Sequence, residues 1–202
     1  MRASHCIECK AFPCPDVKHE CFAVPNVNVP PETITIVMVS EAAPDSTSDY
    51  YYAKGDSLFQ RTTVQAFQDG GARESSVKEL LGRGAYFTTA VKCGKKAYGI
   101  QSDTIRECSK LLEKELALFP NLKVLMLMGD VAIKALNCIA QRAGEKRVIP
   151  AGSTYKIRSG RYFFRNMRVF PSYLQAGPSF YIEKSKRRMI AEDIAAALRL
   201  VA

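Results

Sequence analysis

Two short runs constrain this chain most. Thr33–Val39 (TITIVMV) and Val124–Met128 (VLMLM) are β-branched or apolar at every position, with no charge inside either. A strand-length run that lacks alternation is buried on both faces, and that is the pattern of parallel strands covered by helices on each side. The intervening sequence supplies those helices. Ser57–Gln68 and Glu74–Leu81 read as helices divided by the Gly70-Gly71 breaker, and Ala85–Lys92 reads as a further strand ending at Cys93-Gly94. Thr104 and Glu107 have the spacing of a capping box ahead of an apolar stripe that stops at Pro120. Val131–Ala140 follows as a helix, Tyr155–Ile157 and Tyr162–Val169 as the last strands, and a final helix runs from about Glu183 to Val201. The expected architecture is α/β. It has three αβα layers around a central, mostly parallel sheet of about four strands, joined by right-handed crossovers. It forms one domain over residues 1–202, with residues 1–32 as a Cys-rich N-terminal segment. Ligands of such sheets bind at the C-terminal strand edge, where the loops after Val39, Val91 and Val169 are expected to meet.

Charge is distributed unevenly. Between Arg142 and Arg188 stand 12 Lys and Arg against 2 Glu, a net of +10, whereas the remainder carries 17 basic and 18 acidic residues. One basic third on a neutral body predicts a phosphate-binding face, the alternative being a solubilising surface. No apolar window approaches the roughly 20 residues of a membrane helix, and Met1–Cys14 lacks the build of a signal peptide. The expectation is therefore an intracellular, cytoplasmic monomer with no membrane partner. In a reducing compartment, seven cysteines point to metal or catalysis more than to disulfides.

The cysteines have a pattern. Cys6 and Cys9 form a C-x2-C and Cys93 and Cys108 a C-x14-C; four soft thiolates select an iron-sulfur cluster or zinc. A local zinc site from Cys6, Cys9, Cys14, Cys21 and His19 is the alternative. Cys138, on the apolar side of its helix, reads as core.

Several strand-end segments carry a resemblance. Ser40-Glu41-Ala42-Ala43-Pro44 resembles a GEAPG-type motif, and Tyr86–Cys93 (YFTTAVKC) resembles a YITNVVKC strand. Met128-Gly129-Asp130-Val131-Ala132 resembles an LGxxA turn, and Phe170-Pro171-Ser172-Tyr173-Leu174 an HPSxL loop. In this order and spacing they resemble the uracil-DNA glycosylase superfamily, and the cysteine spacing resembles its iron-sulfur, family four branch. The resemblance implies a monofunctional DNA base-excision repair enzyme, a hydrolase of the N-glycosidic bond, nucleoid-associated, with a [4Fe-4S] cluster on Cys6, Cys9, Cys93 and Cys108. The alternative is a DNA-binding relative without the chemistry.

Such an enzyme flips a base out of the stack, packs it on an aromatic ring and stabilises charge as the glycosidic bond breaks. Glu41 matches the family's acidic residue, with Asp45 as second candidate because the proline falls one position late. Phe59, or Leu58, resembles the ring that stacks on the base. Pro171, Ser172, Tyr173 and Leu174 resemble the loop that pinches and wedges into the duplex. Arg165, Arg168, Lys186 and Arg187 are the expected phosphate contacts within the basic third. Two positions depart from the family: Thr89 stands where the base-reading Asn is expected, and Phe170 where a His would polarise the base carbonyl.

Overall fold

Ile36–Ser40 and Val124–Met128 are buried at every residue, and they lie side by side at the centre of the molecule. The computed structural model describes all residues, Met1–Ala202. Strands β1 (Val17–Lys18), β2 (Ile36–Ala43), β3 (Ala85–Lys95), β4 (Val124–Met128), β5 (Tyr162–Phe164) and β6 (Met167–Ser172) form one sheet in the order β1-β3-β2-β4-β6-β5. The middle four run parallel, with Ile36 level with both Ala85 and Val124; β1 and β5 add antiparallel edges. The expectation of about four strands thus describes the parallel core and omits the two short edges.

Alternation along the strands divides the core in two. Val37, Val39, Leu125 and Leu127 face helices α3 (Ser102–Leu116) and α4 (Asp130–Arg142). Met38, Phe87 and Met126 face α1 (Leu58–Asp69), α2 (Val77–Gly82) and α7 (Lys184–Arg199), where Phe67, Leu80 and Ile194 are fully buried. Two short helices complete the set, α5 (Thr154–Ile157) and α6 (Ser179–Ile182). None of the helices is long and apolar enough to cross a membrane.

Three local expectations are corrected. Tyr155–Ile157 belongs to a helical turn, α5, not a strand; a short apolar run has no periodicity to separate the two. Tyr162–Val169 is a hairpin, because Arg165 and Asn166 both take positive φ (46° and 68°) and reverse the chain between β5 and β6. Thr104 does not open its helix. α3 begins at Ser102, and the Gln101 N–H is capped by Asp16 Oδ2 at 2.7 Å from the N-terminal segment, with the Thr104 hydroxyl bonded to the same carboxylate.

The crossovers place the site. After β2 the chain passes to the α1 face, and after its neighbour β4 it passes to the α4 face. The two chain exits diverge and leave a crevice at the C-terminal ends of β2 and β4, the switch point where open α/β sheets bind ligands.

Between β3 and α3 lies a fully buried ion pair of Lys92 and Glu115. Glu115 also accepts from Tyr86 Oη at 2.7 Å and from Thr88 Oγ1 at 3.0 Å, and Lys92 Nζ donates to Thr88 Oγ1 at 2.8 Å and the Thr89 carbonyl at 2.6 Å. Burial and the Glu115 charge push the Tyr86 phenol well above its usual value, which keeps it a neutral donor. Removing one partner strands a charge in the core, so Lys92→Met and Glu115→Gln are each expected to cost about 3–5 kcal/mol. Lys92→Met with Glu115→Leu is expected to recover part of that loss, as read by urea denaturation.

Candidate active site

Glu41 sits at the crevice, near the C-terminal end of β2. It is held from two sides. Lys95 Nζ, from the end of β3, donates to Glu41 Oε2 at 2.6 Å. Gly129 faces the carboxylate from the end of β4; a methyl group there would stand 2.6 Å from Glu41 Oε1, and the residue's φ of +103° is itself a glycine conformation. The Gly129 of the strand-to-helix turn is therefore required twice, once by the backbone and once by the acid it accommodates.

Two cavities meet at Glu41, Asp45, Lys95 and Leu174. The smaller, about 310 Å³, is a pocket walled by Phe59, Leu58 and Ala176 with Asp49 at its rim. The larger, about 890 Å³, is a groove with Lys18, Lys96, Lys134 and Lys186 along it, the last two ion-paired on the surface with Asp130 and Glu183 of the same lining. Asp45 is exposed and pairs with Lys18 at 3.0 Å; its carbonyl accepts from Cys21 Sγ at 3.1 Å. Gly94 permits that contact, since a methyl group there would press on Cys21 Cβ and the Pro44 carbonyl, both at 3.1 Å.

A buried network ties the pocket wall to the last motif loop. Gln175 accepts from Ser40 Oγ at 3.2 Å and donates to Tyr51 Oη at 3.1 Å and Thr63 Oγ1 at 3.2 Å, while Ser40 and Tyr51 bond each other. Burial pushes Tyr51 up to about 12, and its ring packs 5.2 Å from Phe59. The stacking candidate Phe59 is thus fixed from behind.

This arrangement coincides with a sequence match: residues 28–196 fit the family model of the uracil DNA glycosylase superfamily. The chain belongs to that superfamily. A type-5 uracil-DNA glycosylase of Thermus thermophilus is 29% identical over 119 residues, which cover 58% of this chain and 51% of that protein. The chain thus aligns with about half the length of that relative.

The superfamily motifs are not all placed alike. Glu41, Asp45, Phe59, Leu58, Tyr173, Leu174 and Lys186 line the two cavities, with Lys186 Nζ 5.5 Å above the Tyr173 ring. Thr89 is level with Ser40 in the sheet and fully buried, and its hydroxyl has no partner. Phe170 is buried beneath the Arg168 guanidinium, 4.4 Å from its ring, and lines neither cavity. Pro171 and Ser172 are buried too; Ser172 Oγ donates to Asp193 Oδ2 at 2.6 Å, a carboxylate also held by Arg158 at 2.7 Å. Burial raises the Asp193 pKa despite those two partners. Ser172, expected with Pro171 to contact DNA, joins β6 to α7 through Asp193, and Pro171 is buried beside it in β6.

The basic third does not form one face. Arg165 turns the hairpin at the N-terminal edge of the sheet, opposite the crevice, and pairs with Glu113 and Glu145. Arg168 donates to the carbonyls of Gly160, Tyr162 and Val169, and burial together with Arg161 lowers its pKa. Arg187 is bound to Asp69 of α1. The cations of the groove come mainly from elsewhere, and Lys95 in particular went unread, although a Lys-Lys pair directly after Cys93-Gly94 was available as its signal.

The cysteines also regroup. Cys14, Cys93 and Cys108 are buried on the α3 side, and Cys6 is exposed with its thiol on the Arg2 carbonyl. Burial pushes Cys93 up to about 12, with Cys108, Cys9, Cys14 and Cys21 raising it further, and pushes Cys108 up to about 11, with Cys14 and Cys9 raising it further. In the alternative zinc set, His19 Nε2 contacts the Cys14 carbonyl at 2.7 Å, and Cys21 Sγ donates to the Asp45 carbonyl at 3.1 Å. No three Cys, His, Asp or Glu side chains form the tight cage that a single ion needs.

Gly129→Ala is expected to cost about 1–3 kcal/mol through its positive φ alone and to displace Glu41. Gly99→Ala in the same groove, with open space around it, is expected to change stability by less than about 1 kcal/mol. Thermal denaturation of the two variants checks this.

Proposed function

We propose that the protein is a DNA glycosylase that flips uracil or another deaminated or damaged base into the 310 Å³ pocket and hydrolyses its N-glycosidic bond. The observation that carries the reading is Glu41, a carboxylate at the strand-end crevice that faces both an aromatic-walled pocket and a lysine-lined groove. Phe59 supplies the stacking wall, and the groove lysines engage phosphates. As the C1′–N bond breaks, its electron pair leaves with the base and positive charge grows on the sugar. The Glu41 carboxylate stabilises that charge and orients the water that adds to C1′. Lys95 fixes the carboxylate's position, and the water's proton ends on the departing base. Leu174 and Tyr173 stand beside the pocket where a wedge would fill the vacated stack.

A second reading, DNA binding without excision, is favoured by Thr89 and Phe170, which offer no accessible donor to the base. One assay separates the two. Purified protein incubated with oligonucleotides carrying uracil, hypoxanthine, xanthine or an oxidised base is expected to leave abasic sites on at least one of them. Glu41→Gln is expected to lower that rate by about a hundredfold. No abasic product from any substrate, with DNA binding intact, selects the second reading.

We further propose a [4Fe-4S] cluster, held by Cys9, Cys14, Cys93 and Cys108. Four soft thiolates suit it, because a cluster spreads its sulfur ligands wider than one ion does. It would clip the N-terminal segment to the end of β3 and to α3, ordering backbone near the groove. Cys6, expected as a ligand from the C-x2-C spacing, stands outside this set. Protein prepared without air is expected to hold about four irons per chain, to lose them in Cys14→Ser and Cys108→Ser, and to keep them in Cys6→Ser. One zinc without iron, or loss in Cys6→Ser with retention in Cys14→Ser, overturns this assignment.

A further inference from the structure

We infer that Tyr98 is a stacking platform for an unpaired base on a nucleic-acid strand lying in the groove beside Glu41, an inference that rests on the DNA reading above. Tyr98 is fully exposed, at 101% of the reference area. A wholly solvated aromatic ring packs against nothing in its own chain, and a nucleobase face is its natural complement.

The ring is exposed but its loop is anchored. The Lys96 N–H and Lys96 Nζ bond the Asp16 carbonyl at 3.3 Å and the Pro15 carbonyl at 2.7 Å, and the Gln101 N–H bonds Asp16 Oδ2 at 2.7 Å. Both ends of the loop are therefore pinned to the N-terminal segment, with Ala97, Tyr98 and Gly99 at its tip. Tyr98 lines the groove together with Lys96 and Lys134, and Tyr173 and Leu174 line it from the loop after β6. In the sheet order, β3 and β6 are three strand spacings apart, about 14 Å at the roots of the two walls.

That gap suits one strand with its bases turned to the walls. Cations along the groove attract the phosphates, and aromatic rings at its sides take base faces, which is the combination that binds single strands without reading sequence. A base inside a duplex is already stacked on both sides, so the ring's gain is confined to unpaired nucleotides.

The chain has no tryptophan, so Tyr98→Trp installs a single fluorescent reporter at the platform. Binding of single-stranded oligothymidylate is expected to quench its emission. Tyr98→Ala is expected to weaken single-strand binding by about tenfold and binding to a blunt duplex by less than about twofold, while Tyr98→Phe binds as the natural protein does. Unquenched emission, or single-strand binding by Tyr98→Ala within about twofold of the natural protein, overturns the platform and leaves the DNA reading standing. An equal loss on both DNAs overturns the restriction to unpaired bases. Failure of the natural protein to bind either DNA overturns both readings together.

Discussion

The contact between Glu41 and Gly129 is the constraint on which the site depends. Neighbouring parallel strands β2 and β4 send their chains to opposite faces of the sheet, and only this divergence opens a crevice between strands about 4.8 Å apart. A side chain as large as glutamate fits across so narrow a gap only if the facing residue has no Cβ. It also has to be held there, and Lys95 reaches it from the far neighbour, β3, at 2.6 Å. Three adjacent strand ends thus each give one element: the acid, its counter-charge and the space it occupies.

Charge shows how far sequence arithmetic carries. The +10 segment from Arg142 to Arg188 looks like one binding face, yet a guanidinium has two uses, and folding took the structural one for most of its arginines. Arg142 pairs with Glu113, Arg158 with Asp193, Arg165 with Glu113 and Glu145, and Arg187 with Asp69. Their partners lie up to 118 residues away in sequence, beyond any local pattern. The groove lysines are flexible point charges instead. Several of them, Lys18 and Lys134 among them, are paired with carboxylates on the surface, where water screens the pair and leaves the ammonium available to a phosphate.

The parallel core was legible because it rests on a strong signal: runs apolar on every residue have only one economical placement. Glu41, Phe59 and Leu174 were legible through motif order, and their meeting at one crevice follows from the topology. The failures have equally physical causes. Arg165-Asn166 makes a tight turn without the glycine that usually announces one. Phe170 and Ser172 were placed by motif alone; in the structure the buried extent of β6 carries both side chains onto the α7 face, where apolar packing and Asp193 hold them. Cys14, outside the C-x2-C spacing, is buried on the α3 side by the fold of the N-terminal segment, which Asp16 fastens to the start of α3.

Rigidity is unevenly shared around the crevice, and the hydrogen bonds show how. Gln175 commits its carbonyl and both amide donors to Ser40, Tyr51 and Thr63, so the end of β2, the loop before α1, α1 itself and the loop after β6 are joined through one buried side chain. A fully satisfied polar network of this kind fixes relative position more strictly than apolar contact, because displacing one member leaves several buried groups unpaired. The pocket wall at Phe59 and the loop that carries Tyr173 and Leu174 are therefore held in one fixed relation. The loop from Lys96 to Gln101 is pinned only at its feet, and its tip has no such tie. The protein thus sets a rigidly held pocket wall beside a rim tied only at its feet, a division that the proposed base excision on strands of differing sequence would use.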